Sequence, residues 1–191
     1  RKNSPYEVDD QKNPMNAYGE SKSLGEDLML QPGRSGLLIR SSWIFGHYGA
    51  NFVDKMLELS EKARQGVIPC LKVVNDQKGS PTYAVDLARA VRVLLEKEAV
   101  GLVHMTNSDS CSWYEFAVEI LRQKGYHDVK IEAISSDKME RPAKRPSYSI
   151  LGMRSIEKHG VYTRSWQAAL ADYLNRQIDL NRTVLKGLHN D

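Results

Sequence analysis

The sequence predicts an α/β fold with a largely parallel sheet. Three patterns support this: short continuous apolar runs, longer segments with apolar residues three or four positions apart, and turn residues between them. Strands that alternate with helices of about 12 to 15 residues are typical of parallel sheets. No break in composition divides the 191 residues into two domains. A second, smaller lobe is therefore expected to be interleaved with the sheet.

Helices are predicted where the apolar spacing lines one helical face. The first begins near Pro14 and stops at the Pro32–Gly33 pair, and Gly125 closes the fourth. Polar residues 176–191 either extend the last helix or fray. In chain order, the predicted helices cover residues 14–31, 52–59, 83–97, 113–124 and 166–174.

Strands are predicted at short apolar runs bounded by turn residues. Residues 36–40 form a continuous run, which is typical of a strand buried on both faces. The turn-rich segment 75–81 ends a brief strand. The predicted strands cover residues 36–40, 72–74, 101–105 and 129–134.

The composition argues against several classes of protein. Apolar residues make up 41% of the chain and charged residues 27%, as in ordinary globular proteins. The net charge of +3 is small and scattered, so no nucleic-acid partner is expected. No run approaches the roughly 18 apolar residues of a membrane span, and the first residues do not resemble a signal peptide. We expect a soluble, cytoplasmic protein without a membrane partner.

The cysteines and histidines do not predict a metal site. Cys70 and Cys111 form no CxxC pair, and the five histidines are scattered. Two thiols fit a reducing cytosol better than a disulfide scaffold.

A tyrosine and a lysine four residues apart suggest carbonyl reduction. Tyr18 and Lys22 lie on the first predicted helix, where this spacing puts both side chains on one face. When hydride reaches a ketone carbon, the oxygen must take a proton. An ammonium beside a phenol favours the phenolate and so makes the phenol a better proton donor. Tyr126 and Lys130 share the spacing but run into a predicted strand, so that pair is interpreted as incidental.

Longer sequence blocks around and after Tyr18 resemble the extended short-chain dehydrogenase/reductase family, whose members act on nucleotide sugars. Within that family the chain is most similar to the dTDP-4-dehydrorhamnose reductases, from about residue 5 to about residue 174. The blocks that carry the resemblance are YGESKSLGE (18–26), RSSWIFG (40–46), NF (51–52), DQKGSPTYA (76–84), SWYEFA (112–117) and RPSYSIL (145–151).

The resemblance implies a fold, an activity and a cofactor. The fold would be part of a Rossmann-like parallel sheet with an interleaved smaller substrate-binding domain. The activity would be reduction of the C4 ketone of dTDP-4-dehydro-L-rhamnose by NADPH or NADH. Tyr18 would donate the proton. Lys22 would lower the pKa of the donor and form a hydrogen bond with the nicotinamide ribose. Members of the family often form homodimers, sometimes with Mg²⁺, but no metal ligand can be assigned here.

The resemblance also implies substrate contacts. Trp43 would contact the deoxysugar, since an indole is a flat apolar wall with one donor; the alternative is a core tryptophan. Asn51 and Phe52, at the head of a helix that favours phosphate, would lie near the sugar or the diphosphate. Arg145 would bind the diphosphate through its guanidinium; the alternative is a solvated loop charge within the basic cluster of residues 138–145.

Other conspicuous residues are expected to be structural. Trp113 and Tyr114 lie at core spacing on a helix, and His104 has no partner in sequence. The full set interpreted in this way is Trp113, Tyr114 and Trp166 as packing, Asp76 and Gln77 as turn braces, and His47 and His104 as structural histidines.

The sequence departs from the family pattern in one respect. The family binds cofactor phosphates on a Gly-x-x-Gly-x-x-Gly turn, and residues 1–191 contain no such motif. We therefore expect residues 1–191 to be the C-terminal portion of one dehydrogenase unit, without its N-terminal cofactor-binding half. On its own, this portion is expected to be inactive.

Two alternatives stay open from the sequence. The chain could come from a reductase or epimerase of another nucleotide sugar, since no motif identifies the base or sugar. It could also be a non-catalytic regulatory subunit of the same fold, although it retains both Tyr18 and Lys22.

Overall fold

A computed structural model describes residues 2–33, 35–139 and 143–187, with side chains up to residue 176. It is an α/β structure, as predicted. The helices are α1 (Ala17–Met29), α2 (Phe52–Arg64), α3 (Ala84–Glu96), α4 (Trp113–Lys124), the short α5 (Arg154–Glu157) and α6 (Trp166–Gly187). The strands are β1 (Leu37–Arg40), β2 (Ile44–Phe45), β3 (Leu71–Val74), β4 (Lys78–Gly79), β5 (Thr82–Tyr83), β6 (Gly101–His104), β7 (Cys111–Ser112) and β8 (Ile131–Ile134).

The periodic patterns located all five long helices and the four longer strands, and α6 continues through residue 187. They missed α5 and the two-residue strands β2, β4, β5 and β7. Elements this short contain too few residues to produce a period, so sequence spacing cannot reveal them.

The strands pair two by two. β1 with β6, β2 with β5 and β3 with β8 are parallel, whereas β4 with β7 is antiparallel. The β1–β6 register runs from Leu37 opposite Gly101 to Arg40 opposite His104. Both strands therefore end at the same edge, which is where parallel α/β sheets carry their sites.

Two hydrophobic cores draw on alternating stretches of the chain. The larger joins α2, α4, α6 and β3, with Phe45, Phe116 and Tyr173 among its most buried side chains. The smaller lies under α3 and β6 and includes Leu94 and Ile156. Because the chain passes repeatedly between them, no boundary in composition is visible in sequence.

One prediction about β1 was wrong: its residues are only half-buried rather than buried on both faces. Among the described residues, β1 pairs with β6 alone, and α1 has no buried residue. Leu24 is 61% exposed and Leu28 50% exposed on α1. An apolar strand and helix are covered only when a further layer packs on them, and the described residues supply none on this side.

The N-terminus of α4 offers a test of local stability. The Ser112 hydroxyl accepts from the Glu115 N–H at 3.1 Å, and the Ser112 N–H donates to the Glu115 carboxylate at 2.6 Å. The buried hydroxyl also donates to Asn75 Oδ1 at 2.7 Å. We expect Ser112→Ala to lower the free energy of unfolding by about 1–2 kcal/mol in urea denaturation. Ser165→Ala, which removes only a 3.3 Å bond to the Ala168 N–H, is the control and should cost less.

Candidate active site

Tyr18 and Lys22 lie on one face of α1, as their spacing predicted. The Lys22 Nζ is 5.5 Å from the centroid of the Tyr18 ring. The Asn16 side chain caps the helix by accepting from the Gly19 N–H at 2.9 Å, which fixes the first turn that carries Tyr18. The tyrosine is 71% exposed, so its hydroxyl is open to a ligand and to water.

An ion pair fastens α1 to the end of β1. Arg40 donates to both carboxylate oxygens of Glu26, at 2.6 Å from Nε and 2.5 Å from Nη2. This pairing lowers the pKa of Glu26. Because Glu26 is one helical turn beyond Lys22, the pair fixes the part of α1 that presents the lysine.

His104 contacts the guanidinium of Arg40. Its Nδ1 is 3.2 Å from the Gly152 carbonyl oxygen, and its Nε2 is 3.4 Å from Arg40 Nη1. A carbonyl accepts and a guanidinium donates, so the neutral ring with its proton on Nδ1 fits both neighbours. Burial, and then the charge of Arg40, lower the pKa of His104. The structural role predicted for this histidine is consistent with these contacts.

A polar cleft of about 1020 Å³ opens beside this assembly. Lys22, Glu26, Arg40 and Tyr148 are among the residues that line it. Tyr18 is not among its lining residues and lies exposed on the helix. Charged groups of both signs line the cleft, so it can bind a ligand that carries polar or charged groups. The segment before α1 closes a further wall and is tied to residues 150–152 by Tyr6, through hydrogen bonds of 2.9 and 2.7 Å.

Trp43 lies three residues beyond β1 and is partly buried. Its ring stacks on Trp113 with centroids 3.5 Å apart and planes 11° from parallel. Trp113 in turn contacts Phe52 at 4.6 Å. The structure therefore groups two of the predicted substrate residues, Trp43 and Phe52, around a third aromatic ring that sequence reasoning assigned only to packing.

Asn51 acts as the cap of α2 and has little hydrogen-bonding capacity to spare. Its Oδ1 accepts from the Asp54 N–H at 3.1 Å, and its Nδ2 lies 2.9 Å from the Gly46 carbonyl oxygen and 2.7 Å from Asp54 Oδ2. Tyr173 donates its hydroxyl proton to Asp54 at 2.6 Å. The Asp54 carboxylate occupies the first turn of α2 and bonds the Asn51 amide. The same amide bonds the Gly46 carbonyl and so holds the loop that precedes the helix.

Arg145 lies exposed in the segment that leads to the cleft. The preceding carbonyl, of Lys144, accepts from Asn16 Nδ2 at 2.9 Å, and the following residue, Pro146, lines the cleft. The segment is thus held next to the N-terminus of α1, on the same side as the catalytic candidates. Arg141, a member of the basic cluster, is outside the described residues.

Two interpretations made from sequence agree with the contacts. Asp76 accepts from the Ser136 N–H at 3.0 and 3.1 Å and from Ser135 Oγ at 3.0 Å, so it braces a turn. Tyr126 donates its hydroxyl proton to Glu61 at 2.5 Å and lies between α4 and β8, so its spacing to a lysine creates no shared helical face.

The described part of the chain contains neither a cluster of metal ligands nor a membrane-spanning helix. No group of three histidine, cysteine or acidic side chains there could hold a metal ion. No helix in that part is long and apolar enough to cross a membrane.

Comparison with known proteins agrees with the resemblance found in the sequence. The family described as RmlD substrate binding domain matches residues 1–178. The spore coat polysaccharide biosynthesis protein SpsK of Bacillus subtilis is 42% identical over 173 residues, which cover 91% of this chain and 59% of SpsK. The crystal structure of a dTDP-4-dehydrorhamnose reductase from Clostridium acetobutylicum is 38% identical with a TM-score of 0.82, covering 91% of this chain and 60% of that one.

A dTDP-4-dehydrorhamnose reductase from Bacillus anthracis, solved in complex with NADP, is 32% identical with a TM-score of 0.81. The match covers 90% of this chain and 59% of that one. The chain thus spans about three fifths of the length of these relatives.

The neutral state of His104 makes stability depend on pH. Because the pKa of His104 is lowered in the folded protein, the unfolded chain takes up a proton first as pH falls through about 6.5. We expect the free energy of unfolding to fall from pH 7.5 to pH 5, by up to about 1.4 kcal/mol per pH unit from this group. His104→Asn, which can still donate to Gly152, should flatten the profile measured by urea denaturation.

His127→Asn makes the same substitution at an exposed position and is the matched control, which should change the profile less than His104→Asn does. An unchanged slope in His104→Asn would contradict the assignment.

Proposed function

The chain belongs to the RmlD substrate-binding domain family, and we propose that it carries the proton donor and the substrate side of an NADPH- or NADH-dependent reductase. The substrate proposed is dTDP-4-dehydro-L-rhamnose, reduced at its C4 ketone to dTDP-L-rhamnose. The observation that carries the proposal is the pairing of Tyr18 and Lys22 on one face of α1, with Lys22 in the wall of a polar cleft.

Tyr18 would complete the reduction by protonating the oxygen. Hydride added to C4 converts the carbonyl to an alkoxide, and the Tyr18 hydroxyl supplies the proton that makes it a secondary alcohol. The phenolate left behind lies next to the Lys22 ammonium, which stabilises its charge. Since Tyr18 is largely exposed, water can return the proton before the next turnover.

The residues present fit one part of a nicotinamide cofactor. Lys22 can donate hydrogen bonds to ribose hydroxyls from the cleft wall, and a bound nicotinamide would supply the hydride. The similarity to a reductase solved with NADP supports this cofactor class. The phosphate-binding glycine turn is not part of residues 1–191, so NADPH or NADH would bind only together with a further cofactor-binding segment.

Such a segment has a surface to join. Among the described residues β1 pairs only with β6, so its other edge can accept another parallel strand. The extended sheet can then cover the exposed apolar side of α1. We therefore propose that residues 1–191 act as the C-terminal portion of one dehydrogenase unit.

From α1 the substrate would extend towards Arg145 with its diphosphate and towards Trp43 and Phe52 with its deoxysugar. Arg145 is exposed next to the cleft and carries a guanidinium suited to phosphate oxygens, so we assign it to the diphosphate. Trp43 and Phe52 are assigned to the deoxysugar side. Asn51 would act by holding the loop between Gly46 and Gly49, whose carbonyls its amide bonds at 2.9 and 3.1 Å.

Replacing Tyr18 by phenylalanine in the complete reductase tests the proton donor. We expect turnover to fall at least about a hundredfold, because the alkoxide then lacks a positioned acid. Substrate affinity should stay within about threefold, since the ring itself is kept. Tyr126→Phe is the matched control and should keep turnover. Near-normal turnover of Tyr18→Phe would remove Tyr18 from the mechanism.

Substrate assays separate the proposal from its alternatives. NADPH oxidation would be followed with dTDP-4-dehydro-L-rhamnose and with other keto sugars linked to dTDP or UDP. Turnover of a different sugar alone would move the assignment to another reductase of the family. No turnover with any sugar, together with stoichiometric co-purification of a protein, would favour a regulatory subunit.

A further inference from the structure

The indole of Trp43 is covered on both faces. Trp113 stacks on one face at 3.5 Å. On the other, a Cβ placed on Gly79 would be 2.5 Å from Cε2 of the indole and 2.8 Å from both Cζ2 and Nε1. Cζ2 and Nε1 are the two atoms bonded to Cε2 on its outer side. Equal and slightly longer distances to them mean that the point lies directly above Cε2, not beside the rim.

The backbone of Gly79 therefore caps the face opposite Trp113. A Cβ on the Trp113 side would have to lie between two rings that are already in contact. At position 79 any side chain would collide with a rigid ring system, so the close approach requires glycine.

The conformation of Trp43 is strained and is held from several directions. Its φ is +49°, a left-handed value that a bulky side chain rarely adopts. Its carbonyl accepts from the Thr82 N–H at 3.2 Å, and the carbonyl of Ser42 accepts from Thr82 Oγ1 at 2.7 Å. Strain of this kind persists only where the surroundings fix it, and it is concentrated at functional sites.

The Trp113–Trp43–Gly79 sandwich, in which one neighbour covers each face of the indole, limits how Trp43 can contact a ligand. With both faces covered, a sugar ring cannot stack on the indole, so the flat wall expected from sequence is not presented. A ligand can still contact the edge of the indole ring, where Nε1 lies. Among the described residues, Nε1 of Trp43 has no hydrogen-bond partner, and it is not among the fully buried unpaired atoms.

We propose that Gly79 and Trp113 are positioning residues that clamp Trp43 so that its indole N–H points edge-on to an oxygen of the substrate sugar. The inference rests on the proposed function for its substrate and deepens it. A fixed donor discriminates sugars by the presence and position of an acceptor oxygen, whereas an apolar wall distinguishes them weakly. The role of Trp113 is to hold the plane, and the role of Gly79 is to leave room for it.

Indole N–H signals in a ¹⁵N–¹H correlation spectrum of the complete reductase test the clamp without any activity. The chain has three tryptophans, so Trp43→Phe, Trp113→Leu and Trp166→Phe assign three resonances. Stacking on Trp113 places Trp43 in the shielding zone of a ring current, so Trp113→Leu should move the Trp43 signal downfield. Gly79→Ala should also shift it, whereas Gly25→Ala, whose Cβ would meet nothing within 4 Å, should not. An unmoved Trp43 signal in both clamp variants would overturn the sandwich.

Titration with dTDP-L-rhamnose and with dTDP tests the donor. Only the sugar-bearing ligand should move the Trp43 N–H signal downfield. Replacing Trp43 by β-(3-benzothienyl)alanine keeps the ring shape and removes the N–H. We expect it to raise the Kd for dTDP-L-rhamnose about fivefold to tenfold, with the Kd for dTDP unchanged. Gly79→Ala should raise the same Kd by at least that factor.

The outcomes separate the two proposals. An unchanged Kd for dTDP-L-rhamnose in the benzothienyl variant would overturn the donor role while leaving the reductase assignment intact. If the unmodified complete protein neither binds dTDP-L-rhamnose nor turns over its keto precursor, the proposed function fails and the donor role fails with it. In the complete reductase, the benzothienyl variant should raise KM and leave kcat within about twofold.

Discussion

The ion pair between Arg40 and Glu26 is the interaction on which the site depends. Helix α1 carries Tyr18 and Lys22 but buries no residue of its own, so apolar packing within the described chain does not hold it. The bidentate contact fastens it to the end of β1, one turn from Lys22. An ion pair of this kind adds little net stability because both groups lose hydration, but it fixes an orientation. The proton transfer proposed for Tyr18 requires such a fixed position.

A second constraint holds the loops at the end of β1. From Trp43, aromatic contacts run through Trp113 to Phe52 and on to Phe116 in the larger core. Rings packed in this way have few alternative arrangements, so the loop after β1 inherits the rigidity of α4. Two kinds of contact thus hold the C-terminal end of β1. Hydrogen bonds and an ion pair link Glu26, Arg40 and His104. Aromatic packing holds the loop that carries Trp43.

Much of the architecture, and the shared face of Tyr18 and Lys22 in the candidate site, could be predicted from sequence. Helical periodicity located α1 to α4 and α6, and a spacing of four on α1 was enough to place Lys22 beside Tyr18. The burial of β1 was overestimated because an apolar run shows what a strand can bury, not which neighbours are there to cover it. Asn51 was assigned to a ligand, yet its amide is engaged by Gly46 and Asp54.

The sequence by itself determined the helices, the longer strands, the tyrosine–lysine face and the family, because each is recorded in residues close together in the chain or in ordered motif blocks. Only the tertiary structure decided that Gly79 and Trp113 enclose Trp43, and that His104 supports Arg40. These partners are 36, 70 and 64 positions apart, and such pairings depend on how the strands align and how the rings fit. No local pattern carries that information, since packing in three dimensions selects among many contacts that the same residues could make.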